Sequence, residues 1–202
     1  MRAKSFALII TSLLGSILLL GGSAHATKYG AGSYGRCQYE TCAISLASST
    51  NVSVNVIPSA AGVRCTVASD SVTVTTSSST GYTLSLIDND STTTLTGTGS
   101  PITSSSGTFI SPVTLGANMW GYRLDNAGGF GAGPTSSVSN TTTPALTFAG
   151  LQPSTGTADQ VVNASTAATS GVTTPIWYGL CVTASQASGS YSDSVLYTAL
   201  IN

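Results

Sequence analysis

Asp88-Asn89-Asp90-Ser91 is the one place where acidic side chains of this chain stand close together in sequence. Short oxygen-bearing side chains at this spacing suit a hard cation such as calcium, so Asp88 and Asp90 are the metal-ligand candidates. The same four residues suit a turn between strands, where aspartate caps its own backbone far more often than it does chemistry. The remaining positions of an EF-hand are missing.

Other chemistry finds few residues to work with. The chain has a single histidine, His25, inside Ser23-Ala24-His25-Ala26. If that stretch closes a cleaved leader, the commonest general base and nitrogen ligand leave with it. Serines are abundant, but Lys28 is the only lysine beyond the leader, and no Gly-x-Ser-x-Gly elbow occurs. The carboxylate pair of a glycoside hydrolase would have to come from Asp88, Asp90, Asp125 and Asp159, all in turn-like surroundings. Gly128–Pro134 has the glycines of a phosphate cradle, yet no lysine follows and no helix opens behind it. These residues predict a non-enzymatic protein without a cofactor. What they leave for recognition is aromatic. Trp120, Tyr122, Phe130, Trp177 and Tyr178 are the candidate contacts to a ligand or partner, as a platform for sugar or peptide. The competing expectation is that they fill the core, with Phe130 capping one end of it.

The elements that would position these residues begin with a leader. Arg2 and Lys4 precede the apolar run Phe6–Leu20, and Ala24 and Ala26 fit an A-x-A cleavage pattern. The run is short of the ~20 residues that span a bilayer. The expected division is a signal peptide over 1–26, an N-terminal loop segment over 27–42 and a β-sandwich domain over 43–202. The expected location is secreted or cell surface, with no membrane insertion after cleavage. Removing Arg2 and Lys4 leaves Lys28, Arg36, Arg64 and Arg123 against seven acids. With no basic patch, nucleic acid is a poor partner. Charged residues are 6% of the chain against roughly 25% in ordinary domains, so hydroxyls supply the polarity.

Four cysteines in a secreted chain predict two disulfides, with three pairings open. The favoured set is Cys37–Cys42, pinning the N-terminal loop, and Cys65–Cys181, tying an early strand to a late one. Zinc would need a second Cys-x4-Cys pair, which is absent.

Beyond residue 42 the chain is a series of short β-patterned runs. Asn51–Val56 alternates, as do Ser71–Thr75 and Gly81–Ile87. Val63–Val67 sets Cys65 between two valines of one face. Thr92–Thr96, Thr108–Ile110, Met119–Leu124, Leu146–Phe148 and Asp159–Asn163 read as further strands. Ile176–Val182 is apolar throughout, and Asp193–Leu200 is the clearest strand of all. No run beyond the leader has a sustained helical period. Many short strands with turn signals predict an all-β chain, an immunoglobulin-like antiparallel β-sandwich with an N-terminal disulfide-pinned loop.

The order Gly81-Tyr82-Thr83-Leu84, Trp120-Gly121-Tyr122-Arg123, Phe130–Pro134, Trp177-Tyr178-Gly179 and a final Gly-x-Tyr-x-Asp-x-Val-x-Tyr-Thr strand resembles small secreted surface proteins of Saccharibacteria-like candidate-phylum bacteria. The ending is also similar to WxL, spore-coat-U and pilin-like β-sandwiches. The resemblance implies an envelope-associated, non-enzymatic protein and assigns no active site.

The reading is a secreted structural or adhesion module whose partner is a surface protein or a glycan. Self-association through an edge strand has a physical basis, because the C-terminal run has almost no charge to guard an exposed edge. The alternatives are a carbohydrate-binding module using exposed aromatics, and a secreted hydrolase whose carboxylates converge in one cleft.

Overall fold

The computed structural model describes residues 43–49, 51–142 and 145–202. The leader and the Cys37–Cys42 pairing therefore lie outside the described residues. Those described are all-β, with no helix among them.

Thirteen strands follow in chain order. They are β1 (Ile44–Ser48), β2 (Arg64–Thr76), β3 (Tyr82–Asp88), β4 (Thr96–Gly97), β5 (Thr103–Ser104), β6 (Val113–Thr114) and β7 (Met119–Arg123). Then come β8 (Val138–Thr141), β9 (Thr147–Phe148), β10 (Asp159–Ala164), β11 (Ala168–Val182), β12 (Tyr191–Ser192) and β13 (Val195–Ile201). The larger sheet has the order β1-β2-β11-β7-β5, with β8 also on β2. The smaller is β10-β3-β13, and two ribbons, β12-β4 and β6-β9, complete the set. Every named pair is antiparallel except β5 with β7.

The two main sheets share one core. Val72 and Val74 of β2 and Ile176, Tyr178 and Leu180 of β11 meet Tyr82, Leu84 and Leu86 of β3 in a single buried cluster. Strict alternation in β3 produces this directly: Tyr82, Leu84, Leu86 and Asp88 are buried while Thr83, Ser85 and Ile87 are half-buried.

The other face of the larger sheet is covered at one end only. Cys65, Val67, Trp177 and Cys181 form a second cluster there with Leu115 and Phe148. This is why Ile176–Val182 is buried at every position. A strand buried on both faces reads as a continuous apolar run rather than an alternating one. The cover sits close because two glycines face each other across the ladder, Gly179 opposite Gly121. A Cβ on Gly179 would stand 2.5 Å from the Phe148 ring, and one on Gly121 2.5 Å from the Ala149 carbonyl oxygen.

The expected Cys65–Cys181 disulfide is present. The two residues are direct cross-strand partners of β2 and β11, with Cα atoms 4.1 Å apart. The bond therefore lies within one sheet, whereas antibody domains bridge their two sheets.

Several strand expectations are corrected. Val63–Val67, from Arg64 onward, and Ser71–Thr75 belong to one strand, β2, which runs through Asp70 because its carboxylate is satisfied. Its Oδ1 accepts from Ser49 N at 3.0 Å and Ser49 Oγ at 2.7 Å. Asn51–Val56 alternates in burial, with Val52, Val54 and Val56 against the core, but it joins no ladder. Side chains bond this segment instead: Thr66 Oγ1 donates to the Asn55 carbonyl and Ile57 N donates to Asn140 Oδ1. Thr108–Ile110 is a turn, closed by Thr108 N donating to the Ser111 carbonyl. Of Thr92–Thr96, only Thr96 enters a strand. β1 and β8 carry alternation too brief to stand out in sequence.

Candidate functional site

The five aromatic candidates are interior residues. Trp120, Tyr122, Phe130, Trp177 and Tyr178 are all buried. Trp120 stacks on Tyr178 and donates its Nε1–H to the Thr93 carbonyl at 3.0 Å. Tyr178 and Tyr197 join their hydroxyls at 2.6 Å, linking the larger sheet to β13. Tyr122 donates its hydroxyl to Asp159 Oδ2 at 2.7 Å and packs edge-on against Phe130. The Arg123 guanidinium lies between the Phe130 and Phe148 rings and donates to the Thr147, Gly131 and Ala132 carbonyls. The expectation of an aromatic contact platform is therefore corrected. Large rings on central strands bury too much apolar area to be left in water.

The acids divide differently from the sequence reading. Asp159 pairs with Tyr122, and burial holds its carboxyl above the usual range despite that bond. Burial foremost, with the same partnership, drives the Tyr122 phenol up. Asp125 caps its own loop, accepting from Gly133 N at 2.6 Å. Asp88 and Asp90 stay together, and a third carboxylate, Asp193, joins them. One oxygen from each lies within 4.8 Å of one from both others.

Two chain segments build this cluster. Asp88 ends β3, Asp90 sits in the turn after it, and Asp193 precedes β13. Val195 pairs with Asp88 in the ladder, and Asn89 N donates to the Ser194 carbonyl at 2.9 Å. Antiparallel pairing therefore brings the turn leaving β3 onto the turn entering β13. Within each turn one carboxylate oxygen caps the backbone. Asp88 Oδ1 accepts from Asp90 N, Asp90 Oδ1 from Thr92 N and Oγ1, and Asp193 Oδ1 from Ser194 N. Asp88 Oδ2 and Asp193 Oδ2 are buried without a hydrogen-bond partner. Burial foremost, with the neighbouring Asp88 and Asp90 charges, pushes the Asp193 carboxyl up to about 7. Burial raises Asp88 too, whereas the Thr92 amide and hydroxyl hold Asp90 down.

The third carboxylate, Asp193, has a faint signal in the sequence. Asp193-Ser194 precedes the last strand much as Asp88–Ser91 follows an earlier one. Only the pairing of those strands says that the two turns meet.

A second feature lies at the free side of β13, which pairs with β3 alone among the described strands. Leu196 and Leu200 point away from the core and are 47% and 57% exposed. Between this edge and β1 runs a groove of about 230 Å³, with Ile44, Leu46, Leu196 and Leu200 among its lining residues.

Comparison with known proteins finds no matching family model, no matching curated protein and no matching solved structure. Among the described residues, no helix is long and apolar enough to cross a membrane.

Proposed function

We propose that this is a secreted, envelope-associated structural or adhesion protein, without enzymatic activity, that joins a second copy of itself by adding strand β13 to strand β13. The observation that carries this reading is the side of β13 that pairs with no other described strand. It presents seven residues, Val195–Ile201, with no charge, no proline and no bulge against β3. Such an edge lacks the usual guards against strand addition.

The sequence of β13 favours a copy of itself. About Thr198, an antiparallel pair sets Leu196 opposite the second copy's Leu200 on the outer face. On the inner face it sets Tyr197 opposite Ala199, large against small. A twofold axis uses one patch twice and needs this self-complementarity. Each leucine pair removes apolar surface that each copy alone leaves in water. The disulfide supports an oxidising location. A glycan-binding role has less support, since the aromatic side chains it would use are in the core.

Sedimentation of the secreted protein from about 1 μM to 1 mM tests the proposal across the range of weak to moderate association. Self-association is expected for the native chain, with slowed amide exchange over 195–201. The double variant Leu196→Lys, Leu200→Lys places like charges opposite each other in the pair and should weaken association at least about tenfold. Its unfolding midpoint should stay near that of the native chain, because both side chains face solvent. A native chain that stays monomeric throughout, or a variant that associates equally well, would overturn it.

A further inference from the structure

We propose that Asp88, Asp90 and Asp193 form a binding site for a hard divalent cation of the calcium class, one that clamps the end of β3 to the start of β13. The proposal does not depend on self-association. Its first support is convergence: three carboxylates from two distant chain segments place oxygens within 4.8 Å of one another. Two ligands on one calcium lie at most about 5 Å apart, since each Ca–O bond is about 2.3–2.6 Å. The cluster already has that span.

The second support is an orphaned oxygen in the interior. Asp88 is 0% exposed, and its Oδ2 has no hydrogen-bond partner. Asp193 Oδ2 is also buried without a donor, and the two carboxyls can hydrogen-bond each other only by sharing a proton. Buried carboxylate oxygens without a donor are costly and rare. The turns do not relieve them, because the backbone amides bond the Oδ1 atoms. Side-chain cations do not relieve them either. The described residues hold only Arg64 and Arg123 as positive side chains, and Arg123 is committed to three backbone carbonyls. What this arrangement accepts is a small cation or a shared proton.

The donor set chooses among metals. All three ligands are carboxylate oxygens, with no imidazole or thiolate in the cluster. That excludes the preferences of zinc and copper and leaves calcium, magnesium or manganese. Calcium tolerates irregular geometry and takes its further ligands from backbone carbonyls and water, which suits a site built from turns. Extracellular calcium modules bind at about 0.1–1 mM, and an affinity in that range is expected here.

The experiment is thermal unfolding of the secreted protein, stripped with EDTA and titrated with CaCl2 or MgCl2. Calcium at about a hundredfold excess over Kd should raise the midpoint by about 5–10 °C. Calcium should act at lower concentration than magnesium. Asp193→Asn and Asp90→Asn should each abolish most of the calcium-dependent rise. Asp90 is exposed, so its variant keeps the fold while removing a ligand. Calorimetric titration should show one site per chain that is lost in both variants. No midpoint rise at about 10 mM CaCl2, well above the expected affinity, would overturn the proposal. So would a rise of equal size in the Asp90→Asn and Asp193→Asn proteins.

Discussion

The two long late strands of this molecule, β11 and β13, differ in everything that surrounds them. From Ile176 to Val182, β11 runs between β2 and β7, buried on both faces and bonded to β2 through Cys181. Among the described strands β13 pairs with β3 alone, and it has one covered face and two exposed leucines. The contrast is one of cover rather than intrinsic strand preference, since both segments are rich in Val, Tyr and Leu. Where the β6-β9 ribbon lies over Gly179 and Gly121, the sheet becomes an interior. Where no second described strand pairs with β13, it remains an edge. One region of the molecule is thus covered on both faces, while the other keeps an edge that no described strand covers.

Truncation should show this contrast most strongly. Phe148→Ala empties the second cluster and should cost about 3–5 kcal/mol, whereas Leu200→Ala on the exposed face of β13 should cost about 0.5 kcal/mol or less. Urea unfolding of the two variants checks the difference, and similar losses would mean that the two ends are equally well packed. Removing the crosslink comes next. The disulfide closes a loop with a sequence separation of 116 residues, and replacing both Cys65 and Cys181 by alanine should cost about 2–5 kcal/mol. Amide exchange should then rise first in β2 and β11, with β3 and β13 changing less.

The smallest effect expected is that of pH at the carboxylate cluster without divalent cations. Burial pushes the folded Asp193 carboxyl up to about 7, well above the ordinary aspartate value of about 3.9. Between those values the folded chain holds a proton that the unfolded chain has released. This contribution to stability therefore falls as pH rises from about 4 to about 7, then levels off. In EDTA, the native chain should gain stability relative to Asp193→Asn as pH is lowered through that window. Urea unfolding of both proteins at about pH 7.5 and about pH 5 measures it, and a constant difference would remove the proton from the cluster.

The runs Gly81–Ile87 and Asp193–Leu200 identified two real strands, observed as Tyr82–Asp88 and Val195–Ile201, because a strand with one wet face shows its period residue by residue. The apolar run Ile176–Val182 was also legible, as a strand with no wet face. Asn51–Val56 shows the limit of such reading. Its valines turn inward as expected, yet side chains of Thr66 and Asn140 bond its backbone where a neighbouring strand would. Periodicity reports which side is buried, not what satisfies the main chain. The aromatics failed as contact sites for a related reason. A tryptophan reads the same on a bare strand as on a covered one, and cover over Trp177 comes from Phe148 and Leu115, far away in sequence.

Strand alternation and cysteine count by themselves pointed to an all-β chain and favoured Cys65–Cys181 among three open pairings, since alternation acts over short runs of residues. Sequence spacing also placed Asp88 and Asp90 together. The arrival of Asp193 beside them, the burial of five aromatic rings and the bare side of β13 were decided by tertiary structure alone. Each depends on which strands become neighbours, and that choice rests on the summed packing of both sheets rather than on any local run of residues.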